Sequence, residues 1–174
     1  MLSMRPLSMA EIGVARQIFA ESLDLGPVRV LRDSPASLFA PVALLNSVHL
    51  KSSWGHFDGD DGGTLTGRGL RTLIHELGHV WQYQNGGLAY IPRSLTAQLV
   101  AWLKTGSRGG AYKWQEALRE GTPWAMWNPE QQAQAIEDYA TALRRQDAPF
   151  DARTVELLQP YIDKVRRGEG APQF

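Results

Sequence analysis

Apolar residues fall into helical and strand-like patterns along most of the chain. Ile12, Ala15, Ile18 and Phe19 keep helical spacing. Ser8, three residues before Glu11, opens that helix with a capping box, and Leu7 and Ile12 are placed to staple it. Gly26-Pro27 is the expected stop. Residues 28–31 read as a short strand, and 41–51 as two short strands around Asn46-Ser47. Residues 54–67 are a loop by their Gly and Asp content. The clearest pattern comes next. Leu70, Leu73, Ile74, Leu77 and Trp81 form an i, i+3, i+4, i+7 stripe. Thr66 is its N-cap, Leu65 and Leu70 its staple, and Asn85-Gly86-Gly87 its end. Residues 94–104 are a further helix candidate, and 106–124 read as a mostly irregular connection. Asn128 as N-cap, Pro129 at N1 and Gln131 at N3 open another helix, with Ala133, Ile136, Ala140 and Leu143 as its buried stripe. Residues 151–167 are helical with a break or kink at Pro160, and 167–174 form a loose tail.

These elements make one α+β domain over 1–174, with no repeat or linker to split it. A chain of 174 residues is long enough for a sizeable core. Eighteen basic and eighteen acidic residues cancel, which argues against a nucleic-acid footprint. No apolar run is long enough to span a bilayer. The first residues carry an Arg but no apolar core of a Sec signal peptide, so the expectation is a cytoplasmic protein or one exported by a specialised route. Absence of cysteine removes disulfides and thiolate metal sites. The run from Asp58 has the outline of a calcium loop, but Gly69 stands where the bidentate Glu is required, so a solvated turn is expected. Six Trp are many for this length and imply core filling, with some left to line a groove.

Off the apolar stripe of the central helix lie His75, Glu76, His79 and Gln82. His75 and His79 are one helical turn apart, so both imidazoles can reach one tetrahedral ion. Glu76 projects beside that ion, where zinc would acidify a bound water and a carboxylate could take its proton. This is the mechanical content of the His-Glu-x-x-His pattern. Two of only four His fall here, and the intervening Leu77 and Gly78 suit a buried helix closely approached by another.

A catalytic zinc usually has three protein ligands. A third His at the extended spacing fails, because Gln82 and Asn85 stand at those positions. The later helix offers Glu130 and Glu137, seven residues apart and on nearly one face, so helical phase leaves both open. Glu130 has the advantage of the first turn, where the helix dipole favours a carboxylate.

The segments "LSMAEIGVARQIFAESLDLGPVRV", "LIHELGHVWQ" and "AYKW…WNPEQQAQAIEDY" resemble the small zincin metallopeptidase domains found at the C-termini of type VI secretion spike proteins and in Rhs-associated and other polymorphic toxins. The resemblance runs nearly end to end, and its most specific parts are His-Val-Trp-Gln and Asn-Pro-Glu-Gln-Gln-Ala. It implies a zincin-like fold of the gluzincin type, mainly helical, with a small sheet over the active-site helix and an edge strand at "VALL" or "VHLK". It implies Zn2+ held by His75, His79 and Glu130, with Glu76 as general base. One departure is Gly78, where such domains often carry Thr.

The activity implied is zinc-dependent hydrolysis of a peptide or protein amide by a bacterial effector, with a secretion apparatus or an immunity protein as possible partner. The alternative is a catalytically silent metal-binding domain serving assembly or recognition. Hydrolysis of a non-peptide amide, such as a peptidoglycan cross-link, would use the same residues. Asp138 is a candidate acceptor for a ligating imidazole. Tyr112, Tyr139 and His56 are candidates to stabilise an oxyanion. His49 and Trp81 are expected to be structural.

Overall fold

A computed structural model of the chain describes residues 3–38, 40–59, 63–87, 113–145 and 149–172. Four short strands make one sheet: β1 (Ser3–Pro6), β2 (Arg29–Arg32), β3 (Val42–Leu44) and β4 (Ser47–Leu50), in the order β1-β2-β4-β3. β1 is antiparallel to β2, β2 is parallel to β4, and β3 is antiparallel to β4. Val30, Val48 and Ala43 lie in one cross-strand row and are buried on the face turned to the helices. β5 (Phe57–Asp58) and β6 (Thr64–Leu65) form a separate ribbon. Of the two edge candidates, "VALL" supplies the edge strand β3, while "VHLK" supplies the interior strand β4.

The helices are α1 (Met9–Phe19), α2 (Gly67–Gly86), α3 (Trp114–Arg119), α4 (Pro129–Leu143) and α5 (Pro149–Arg166). α2 is central. It packs along α4, touches α1, and lies under β3 and β4. α5 covers α4 and α1. The expected capping box of α1 is present, with Ser8 Oγ accepting from the Glu11 N–H and the Glu11 carboxylate accepting from the Ser8 N–H. Arg5 adds a two-pronged ion pair to the same carboxylate. The rings of Trp124, Trp127 and Tyr161 stack in a cluster with centroids 4.9 to 5.6 Å apart. No helix among the described residues is long and apolar enough to cross a membrane.

Several expectations are corrected. α1 ends at Phe19, not at Gly26. Ala20 takes a positive φ, and the Arg16 guanidinium donates to the carbonyls of Ala20 and Leu23, which turns the chain so that Leu23 and Leu25 bury. The connection 106–124 contains α3, nucleated where Trp114 and Ala117 reach the core. Helix α5 runs on through Pro160, which is exposed along with Glu156, so the carbonyl that loses its partner faces water. Residues 167–172 are not loose. Trp124 Nε1 donates to the Glu169 carbonyl, Gln132 Nε2 donates to that of Gly170, and Ala171 is buried. Pro172 lies so close to Gly86 that a Cβ on that glycine would collide with its carbonyl. The helix candidate 94–104, Tyr112, part of the calcium-like run and residues 173–174 fall outside the described residues.

Candidate metal centre

Thr66 Oγ1 accepts the Gly69 N–H and starts α2. Leu73, Ile74, Leu77 and Trp81 then turn into the core, and the Trp81 indole donates to Ser22 Oγ and the Val165 carbonyl. The opposite face carries His75, Glu76, His79 and Gln82, and it is buried too, under α4 and β3. α4 starts with the expected box: Asn128 Oδ1 accepts from Gln131 N–H, and Gln131 Oε1 accepts from Asn128 N–H. The two helices approach closely because residue 78 is glycine. A Cβ there would lie 3.2 Å from Ala133 Cα and 3.3 Å from its Cβ. Ala133 is one turn beyond Glu130, so this small-residue contact is what brings the Glu130 carboxylate down onto the two imidazoles. A Thr at this position would require Ala133 to give by a few tenths of an ångström.

Glu130 Oε2 is 3.4 Å from His75 Nε2 and 3.5 Å from His79 Nε2. A tetrahedral ion with bonds of about 2.0–2.1 Å holds its donors about 3.3 Å apart. Both carboxylate–imidazole distances thus already stand at metal-ligand spacing, the three ligand atoms lie within 4.8 Å of one another, and the set could hold a metal ion. Two imidazoles and a carboxylate, all buried, would suit a borderline cation, and three such ligands would leave a tetrahedral ion one open position. Glu76 lies beside them at 5% exposure, and the backbone N–H of Ala43 on the edge strand donates to its carboxylate.

Each ring is also held from behind. His75 Nδ1 faces Glu137 Oε2 at 3.2 Å, and Arg71 donates to Glu137 Oε1 at 2.8 and 3.2 Å. His79 Nδ1 is 2.9 Å from Gln82 Oε1, and Gln82 Nε2 donates to the Pro129 carbonyl and to Gln132 Oε1. Gln132 Nε2 closes the chain on the carbonyls of Trp124 and Gly170. With His79 Nδ1 bonded to Gln82 and His75 Nδ1 turned to the Glu137 carboxylate, both Nε2 atoms are left for a metal.

Without a metal these groups hold protons among themselves. Burial opposes a charged His75, but the carboxylates of Glu130 and Glu137 outweigh it and push the imidazole up to about 10. Burial likewise opposes a charged His79, and the attraction of Glu130 raises it all the same. Burial would raise Glu130, yet the two imidazoles hold it far below the ordinary carboxylate range. Glu76 moves the other way: burial pushes it up, only partly opposed by His79 and His75.

No protein-family model, curated protein or solved structure matches the chain.

All three expected ligands come together, and Glu76 stands next to them. Glu137, left open against Glu130 by helical phase, takes the other nitrogen of the same ring. Asp138 is not an acceptor for either imidazole: it accepts from Trp114 Nε1 at 2.7 Å and Gln134 Nε2 at 2.9 Å. Tyr139 is buried between α4 and α5, where its hydroxyl donates to Gln159 Oε1, so it does not face the centre. His56 Nδ1 accepts from Lys51 N–H and its Nε2 faces Thr72, away from the ligands. His49 Nδ1 pairs with Ser34 Oγ. Arg71, Gln82, Gln132 and Ala43 were not expected as supports. Arg71 and Gln82 carried a signal, since they stand four residues before His75 and three after His79 on the ligand face.

Proposed function

We propose that the protein is a zinc-dependent metallopeptidase of zincin-like fold, acting as an exported bacterial effector of the class whose motifs it resembles. The observation that carries the reading is the buried Glu76 carboxylate, oriented by Ala43 N–H, next to a preformed His75–His79–Glu130 donor set. His75, His79 and Glu130 would hold the ion, which when bound would supply carbonyl polarisation and an acidified water. Glu76 would take the proton of the attacking water and deliver it to the departing amine, a role for which a buried carboxylate held beside the donor set is placed. Because Ala43 belongs to the edge strand, an extended peptide added along β3 would pass beside Glu76.

The reading is tested in two steps. Elemental analysis should find near-stoichiometric zinc in the wild type, lost in Glu130→Ala and retained, though bound more weakly, in Glu137→Ala. Glu76→Gln should keep the zinc and lose about 10²-fold or more of the hydrolysis of a quenched-fluorescent peptide library. A wild type that takes up no supplied zinc overturns the whole reading. Zinc uptake with no peptide cleaved leaves a metal-binding domain.

A further inference from the structure

At the N-terminal end of α2 a groove of about 460 Å3 opens between α1, α2 and α4. Val14, Leu70, Ile74 and Ala140 give it an apolar floor. Its walls carry four guanidinium groups, Arg68 and Arg71 from α2 and Arg144 and Arg145 from the end of α4. Glu137 is the single carboxylate in its lining, and Arg71 already pairs with it. Among the described residues, neither a hydrogen bond nor an ion pair engages the guanidinium of Arg68, Arg144 or Arg145. The chain is neutral overall, so this excess of positive charge is local. It acts on its surroundings: burial, and after it the field of Arg68, hold the His56 imidazole below its ordinary range. Gly67 brings the positive end of the 20-residue α2 to the groove and Thr141 the negative end of the 15-residue α4, so the net charge there is that of the side chains.

We propose that this groove binds a small amphipathic anion, an apolar body carrying a phosphate or carboxylate group. The volume lies in the range of small-molecule sites, roughly 300–1,000 Å3, where an apolar lining with a few charged groups is the rule. Planar guanidinium forks match phosphate and carboxylate oxygens in pairs. The floor takes the body of the ligand and excludes a bare inorganic ion as the best occupant. Glu137 is the one lining residue that also touches the metal centre, so the groove stands whether or not the peptidase reading does.

Titration with 8-anilinonaphthalene-1-sulfonate, itself an apolar body with one anionic group, tests the site. Saturable binding of one dye per chain is expected. Phenylphosphate or benzoate should displace it, and whichever does so at lower concentration names the headgroup. Arg68→Gln/Arg145→Gln should weaken the dye by about tenfold through loss of charge-assisted bonds, with an unchanged thermal midpoint. If that pair fails to fold, Arg144→Gln/Arg145→Gln serves in its place. Dye binding that does not saturate, that survives the arginine substitutions unchanged, or that neither anion displaces overturns the proposal.

Discussion

The two imidazoles of the centre are held by opposite means. Behind His75 stands a charge relay: the Glu137 carboxylate, 13% exposed, neutralised by an Arg71 side chain that is 55% exposed. Behind His79 stands a neutral chain of amides, Gln82 and Gln132, both fully buried and tied to Pro129, Trp124 and Gly170. A charged partner raises the basicity of its ring and reaches solvent, so ions and pH can tune it. A buried amide chain adds little charge, but every member must be satisfied or the fold loses a buried hydrogen bond. One side of the site is therefore electrostatic and adjustable, and the other is part of the packing.

The sharpest way to break this division is from the amide side. Gln132→Leu leaves the half-buried Gly170 carbonyl without its donor, takes one of two donors from the Trp124 carbonyl and one of two acceptors from Gln82 Nε2, and should cost about 1–3 kcal/mol of stability. The loss should appear in urea unfolding of the metal-free and metal-loaded chain alike, with a smaller change in metal affinity. Glu137→Gln should do the reverse. It should weaken metal binding by about 10- to 100-fold, as removing an outer partner of a ligating His does, while unfolding stability of the loaded chain changes little. Competitive chelator titration measures the first effect. Equal partition of both effects in both variants would erase the comparison.

How much of this could be read beforehand follows from what each signal encodes. The α2 stripe, the Thr66 and Asn128 caps, and the shared face of Glu130 and Glu137 are properties of one helix, and one helix's sequence holds them. The choice between the two glutamates is not such a property. Seven residues are two turns, about 10 Å along the axis, so one imidazole can lie between both acids and use each. The register of α4 along α2, with Ala133 packed on Gly78, sets which acid reaches Nε2. Asp138, next to Glu137 in sequence, points about 100° away around the helix and meets Trp114 instead. The packing of 167–172 was hidden because its partners, Trp124 and Gln132, lie some 40 residues upstream and the segment itself has little apolar content. β1 was missed for the same reason, since its pairing with β2 is made across a helix.

pH separates the two sides more gently. In the metal-free chain His75 is raised to about 10 by Glu130 and Glu137, against the opposing effect of burial. A raised imidazole stabilises the fold fully below its ordinary value, near 6.5, and that contribution is lost as pH climbs through the raised one. The thermal midpoint of the metal-free wild type should therefore fall between about pH 6.5 and 10, and Glu137→Gln should flatten the fall. Metal affinity should rise over the same window, because the ion must displace these protons. On the acid side the signs reverse. Glu130 and Glu137 are held low by the imidazoles, so what they contribute is present above the ordinary carboxylate range and lost on acidification through their lowered values.

The smallest effect is expected furthest from the metal. Arg71 touches the centre only through Glu137, and more than half of its side chain is in water. An exposed pair of this kind is worth about 0–1 kcal/mol and is screened by salt. Arg71→Gln should therefore weaken metal binding by only about two- to fivefold at low ionic strength, well under the effect of Glu137→Gln. At 1 M NaCl, where the Debye length is about 3 Å, wild type and variant should converge. A deficit that persists undiminished in salt would mean that Arg71 acts by geometry, holding Glu137 in place as Gln132 holds Gln82. The His75 side would then be a packed support like the other.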